Sequence, residues 1–149
     1  MSATTNPEET TTTQPKKLLY TARAHTTGGR DGGASQTSDG RLEVKFSLPG
    51  GPGTGTNPEQ LFAVGWSGCF LSAMQLAAGK AKVKLPAETA IDAEVDLLNR
   101  DGYFLEVRMK VSLPGLDREV ANEIVEAADG MCPYSKATRG NIDVRIEVV

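Results

Sequence analysis

Five stretches of the chain alternate apolar and polar residues or are rich in β-formers, and two others carry apolar residues at helical spacing. Arg41–Leu48 alternates through Leu42, Val44, Phe46 and Leu48. Tyr103–Leu113 does so through Leu105, Val107, Met109, Val111 and Leu113, and Ile142–Val149 through Ile142, Val144, Ile146 and Val148. Leu18–Ala24 and Thr89–Leu98 complete the set. A period of two predicts strands with one buried face. Asp39-Gly40 and Asn99-Arg100-Asp101-Gly102 read as hairpin turns. Gly28–Gly33 and Pro49–Gly55 read as loops.

Asn57-Pro58-Glu59 opens the longer helix: Asn caps it, Pro suits its first position, and Glu complements its dipole. The expected span reaches about Ala78, with Gly79 just beyond it. Phe62, Trp66, Phe70 and Met74 recur every four residues, and small side chains such as Ala63, Gly65, Ser67, Gly68 and Ala73 fill most other positions. A helix apolar or small nearly all round predicts a central, buried element, with Cys69 in its middle. Asp117 caps a shorter helix whose Val120, Ile124, Ala127 and Ala128 share a face. Gly130 is expected to end it, and Met131-Cys132-Pro133-Tyr134 forms the exit. Strands, helix, hairpin, helix, strand make an α+β domain.

The 149 residues suit one domain with a real core. Residues 1–15 are Thr-rich, lack branched aliphatic and aromatic residues, and read as a disordered tail; residues 16–149 form the domain. The tail has no apolar stretch of a secretory signal and no Arg of a presequence, so a cytoplasmic location is expected. Net charge is −3 with both signs interspersed, which points away from nucleic acid and anionic membranes. No apolar run is expected to reach the roughly 20 residues of a membrane helix, since Gly65, Ser67, Gly68, Ser72 and Gln75 interrupt Leu61–Ala78.

Cys69 and Cys132 are the only cysteines, too few and too far apart for a zinc ribbon or a disulfide framework. They are buried and inert, separately reactive, or a redox pair. A peroxide-reactive cysteine must be a thiolate, which a nearby cation stabilises. Arginine stays charged when partly buried, and a carboxylate holds it through two hydrogen bonds. A second cysteine spares the sulfenic acid from over-oxidation. Cys69 on a buried helix, Arg30 on a glycine-flanked loop, Glu59 at the helix start and Cys132 at a helix exit supply those parts. On the residues alone, a solvated Arg30 and a Glu59 that only serves the helix terminus are the simpler explanation of those two residues.

Four stretches change the balance: Leu19-Tyr20-Thr21-Ala22 leading to Gly28-Gly29-Arg30-Asp31-Gly32; Gly55-Thr56-Asn57-Pro58-Glu59-Gln60-Leu61-Phe62; Ser67-Gly68-Cys69-Phe70; and Cys132-Pro133-Tyr134-Ser135 with Ala137-Thr138-Arg139-Gly140-Asn141. In these the chain resembles the organic hydroperoxide resistance family, a branch of the group that includes the osmotically inducible protein C. The likeness spans nearly all of residues 16–149. Gly68 departs from it, in a position often held by a slightly larger residue. The resemblance implies antiparallel sheets around a long buried central helix, in an intertwined homodimer. It implies reduction of organic hydroperoxides to alcohols, with Cys69 peroxidatic, Cys132 resolving, Arg30 activating and Glu59 its partner. It also implies no bound metal, haem or flavin, and recycling by a dithiol such as the lipoyl group of a lipoylated protein. Phe70 and Tyr134 are candidate walls of an apolar substrate pocket.

Glu59 and Cys69 are ten positions apart, roughly 15 Å along a helix axis and on different faces. One guanidinium cannot touch both on a straight helix. A bend near Gly65 or a contribution from a second subunit is therefore expected. Three other readings compete: a binding or structural domain with packing cysteines, a redox sensor, and a peroxidase of the osmotically inducible type. His25 reads as a strand or loop residue and Trp66 as core, while Asp31 either assists Arg30 or serves an Asp-Gly turn.

Overall fold

A computed structural model of the protein describes residues 14–149, so most of the expected tail lies outside the described residues. Nine elements follow one another among them. They are β1 (Ala24–Thr27), β2 (Ala34–Thr37), β3 (Glu43–Lys45), α1 (Pro58–Lys80), β4 (Ala90–Asn99), β5 (Tyr103–Ser112), α2 (Arg118–Met131), α3 (Pro133–Thr138) and β6 (Asp143–Val148). They form two three-stranded sheets, ordered β1-β2-β3 and β4-β5-β6, with α1 between them in the chain.

The second sheet follows the apolar pattern closely. β4 and β5 pair antiparallel from Ala90↔Ser112 to Asn99↔Tyr103, around the expected turn at Arg100-Asp101-Gly102. Val107, Met109 and Val111 of β5 are buried. One pair corrects the antiparallel expectation: β6 runs parallel to β5, with Val107 opposite Val144. A parallel neighbour needs a crossover connection, and α2 with α3 provides it.

α1 packs on β4 and α2 through Trp66, Phe70, Ala73, Met74, Ala77 and Ala78. Its other face corrects the reading of a helix buried all round. Val64, Gly68, Ser72, Gln75, Leu76 and Gly79 are exposed. The helix also outruns its expected end. Lys82 takes the left-handed conformation, at φ 56°. Val83 N–H then donates to Ala78 O (2.9 Å) and Lys82 N–H to Gly79 O (3.2 Å), the paired closure of a helix C-terminus. At 23 residues and mean hydropathy 1.4, α1 is long and apolar enough to cross a membrane, contrary to the expectation; here its apolar face is spent on the core.

Three further differences concern α2 and the first sheet. α2 passes Gly130 and stops at Met131, because Pro133 forces Cys132 into extended backbone (φ −65°, ψ 122°). Pro133 then opens the unexpected α3. The buried face of α2 is Ala121, Ile124, Val125 and Ala128, whereas Ala127 is exposed. In the first sheet, β2 was not foreseen, the Arg41–Leu48 strand shrinks to β3, and of Leu18–Ala24 only Ala24 is in a strand. Among the described residues, 18–23 find no partner strand and stay exposed, Leu19 at 85% and Tyr20 at 75%.

Candidate active site

Two clusters of chemically useful side chains stand apart on the molecule. The first is the cysteine pair. Cys69 sits on α1 at the border between the buried and exposed faces and is partly exposed; Cys132 is 0% exposed. Both are free thiols, with their Sγ atoms 3.8 Å apart. Cys132 is held at a corner: its N–H donates to Ala128 O (2.9 Å), and its carbonyl accepts from Lys136 N–H (3.1 Å). Pro133 turns the chain there, so the thiol points into the core against α1. Burial, and then the adjacent Cys132, push the Cys69 thiol above its ordinary value, opposed by the Tyr134 backbone N–H.

The second cluster is the ion pair. Arg30 donates from Nη1 to Glu59 Oε2 (2.7 Å) and from Nη2 to Glu59 Oε1 (2.6 Å). That is the two-pronged geometry expected of an arginine held by a carboxylate. Its loop is locked by glycine: Gly28 has φ 73°, and a Cβ on Gly33 would collide with the Gly29 and Thr27 carbonyl oxygens. Gly33 N–H closes the turn onto Gly29 O (3.1 Å). Glu59 occupies the first turn of α1, where Asn57 Oδ1 caps Gln60 N–H (2.9 Å). The side chains are 47% exposed for Arg30 and 13% for Glu59. Hydrogen bonding to Arg30 holds the Glu59 carboxyl below the usual carboxylate range.

The pair forms within one chain, and α1 runs unbroken from Pro58 to Lys80. Arg30 is thus joined to Glu59 but not brought to Cys69, and no arginine contributes to the Cys69 shift. A cleft of about 440 Å³ opens beside the pair, walled by Leu48, Pro49, Ala63, Val95 and Leu97.

Phe70 does not line open space. It is 0% exposed within the core cluster, on the face of α1 that packs inward. Tyr134 is 38% exposed and lies stacked on Trp66 (centroids 6.4 Å apart) and edge-on to Phe62 (6.0 Å). Gly65 makes room for this ring, since a Cβ there would stand 3.0 Å from the Tyr134 hydroxyl. Sequence reasoning missed this aromatic cluster and the Tyr134 amide beside Cys69; the Cys-Pro-Tyr run was the available signal for both. Trp66 is core as expected, His25 lies exposed in β1, and Asp31 lies in the glycine turn. Among the described residues, no three His, Cys, Asp or Glu gather as a metal site.

Comparison with known proteins gives a consistent answer. Residues 51–147 match the family model described as OsmC-like protein. The organic hydroperoxide resistance protein of Xanthomonas axonopodis pv. citri is 47% identical over 137 residues, covering 89% of this chain and 96% of that protein. The organic hydroperoxide resistance protein OhrA of Bacillus subtilis is 44% identical over 138 residues, covering 87% and 96%. The crystal structure of OhrB of Bacillus subtilis superposes with a TM-score of 0.83 at 39% identity, over 89% of this chain and 100% of that one. With its α+β fold, its motifs and these relatives in agreement, the chain belongs to the OsmC-like family, in the organic hydroperoxide resistance branch.

Proposed function

We propose that the protein is a thiol-dependent peroxidase that reduces organic hydroperoxides to alcohols in the response to oxidative stress. The observation that carries this reading is the approach of two free thiols to 3.8 Å, one partly exposed and one wholly buried. Cys69 thiolate attacks the distal oxygen of ROOH, the O–O bond breaks, the alcohol leaves with a proton, and Cys69 becomes a sulfenic acid. Cys132 attacks that sulfur, water leaves, and a disulfide forms. The sulfur gap has only to close to about 2 Å. A dithiol, the lipoyl group of a lipoylated protein, then restores both thiols. The cycle calls for no bound metal, haem or flavin. Thiols that must return to the reduced state suit the cytoplasm.

Arg30 and Glu59 supply the activating cation and its anchor, but Glu59 lies roughly 15 Å up the helix from Cys69. The pair of one subunit therefore serves Cys69 of the other in an intertwined homodimer. Unfinished burial supports the dimer. Leu18, Leu19, Tyr20, Val64 and Leu76 are exposed. A cleft beside β6 holds Trp66 Nε1 and Ser135 Oγ, both buried without a hydrogen-bond partner among the described residues. The apolar cleft beside Arg30 suits the organic part of a hydroperoxide.

The test is peroxide consumption with cumene hydroperoxide, comparing dihydrolipoamide with glutathione as reductant. Dihydrolipoamide should sustain turnover and glutathione should not. Cys69→Ser should abolish activity, and Cys132→Ser should consume one equivalent and stall. Activity surviving in Cys69→Ser would overturn the mechanism, and a fully active monomer would remove the dimer.

A further inference from the structure

We propose that the reducing dithiol enters at Cys69 and not at Cys132, so that the mixed disulfide of the recycling step sits on the same sulfur that meets the peroxide. This rests on the two-cysteine reading above. Displacement at a disulfide runs in line: the incoming thiolate approaches one sulfur from the side opposite the other, and access decides which is attacked. The two sulfurs differ sharply in that access.

Cys132 is 0% exposed and belongs to the core cluster with Trp66, Phe70, Met74 and Ala128. Any line of approach to it from behind passes through packed side chains. Opening that line requires the α2–α3 corner to come away, yet both backbone groups of Cys132 are hydrogen-bonded there. Cys69 stands on the opposite footing. It is partly exposed within one subunit, and in the proposed dimer it must still be open to a hydroperoxide.

The first thiol of the reductant, as thiolate, bonds to Cys69 Sγ. The Cys69–Cys132 bond breaks with its electron pair going to Cys132, which takes the proton the first thiol released. The second thiol, deprotonated in turn, attacks the reductant sulfur bonded to Cys69. That bond breaks, Cys69 leaves as thiolate and takes the second proton, and the reductant departs as a cyclic disulfide. Two electrons and two protons pass from dithiol to protein. Peroxide and reductant thus share one entrance, and Cys132 cycles between thiol and disulfide without meeting solvent.

The full-length protein, oxidised with one equivalent of cumene hydroperoxide, is exposed briefly to β-mercaptoethanol, quenched with excess N-ethylmaleimide, digested and mapped by mass. The expected map places β-mercaptoethanol on Cys69 and maleimide on Cys132, with a preference of at least about tenfold. The same disulfide in urea should show little preference. Probe on Cys132, or a native map no different from the unfolded one, overturns the proposal. If cumene hydroperoxide leaves both thiols free, the peroxidase reading fails instead. A disulfide made with diamide then lets the same map decide the point of attack.

Discussion

Each sheet has three strands, but the second lies on a core and the first does not. Val107, Met109 and Val111 in β5 are buried under α1 and α2, whereas all four residues of β1 are exposed. The first sheet's strands pack on one another and at most marginally on the other elements. A three-stranded sheet needs an apolar face or a helix to be stable by itself. The first sheet, with Ala-His-Thr-Thr and Ala-Ser-Gln-Thr as two of its strands, has little of either. One polar tie joins it to the second region: Arg30 on its loop grips Glu59 at the start of α1. The region that supplies stability therefore carries both cysteines, and the region that lacks a core carries the arginine. In the dimer proposed above, chemistry and assembly depend on the same contact.

This division can be broken by substitution, and the largest effect should fall in the core. Phe70→Ala deletes a fully buried ring and should cost about 3–5 kcal/mol in urea unfolding. A cost near zero would mean that α1 is not the keystone of the second region. Arg30→Ala comes next. It should slow oxidation of Cys69 by roughly 100-fold, the scale of removing one preorganised charge partner, while lowering stability in urea by only about 1 kcal/mol. An unchanged rate constant in stopped-flow would return Arg30 to a solvated charge. The smallest effect belongs to Glu59→Gln, about 1 kcal/mol at pH 7, because Arg30 is half exposed and water screens the pair. Its sign is fixed by linkage. Hydrogen bonding to Arg30 lowers the Glu59 pKa in the folded state. The stabilisation is present above the ordinary value of about 4.3 and fades as pH falls through the lower, folded one. Thermal midpoints of the two proteins should therefore differ at pH 7 and converge in acid. A gap that persists at low pH would show that Glu59 acts by packing, not by charge.

The elements with a buried face were legible in the chain to within a residue or so. β4, β5 and β6 follow the alternation because one side of each meets α1 or α2. The start of α1 was equally plain, since Asn57-Pro58-Glu59 satisfies local rules that no distant contact alters. The first sheet was misjudged for the converse reason. Leu18–Ala24 has a strand's composition, but a strand forms only where another lends hydrogen bonds, and among the described residues only Ala24 of this run finds one. The end of α1 shifted because Lys82 took a left-handed turn that glycine was expected to take. Among the site residues, the motif pointed to Cys69, Cys132, Arg30 and Glu59, and helical geometry warned that Glu59 and Cys69 lie far apart. It could not show that Phe70 faces the core, or that Tyr134 stacks on Trp66 over Gly65.

From the sequence alone came the α+β class, the family likeness, the caps, and the residue types that thiol chemistry needs, because each depends on local pattern or on identity. Only the tertiary structure decided that Cys69 and Cys132, 63 positions apart, lie 3.8 Å from each other, and that one is buried while the other is not. It also decided that Arg30 meets Glu59 within one chain and that one face of α1 stays uncovered. Those are matters of which surfaces pack together, and packing is settled by contacts between segments that no single stretch of sequence contains.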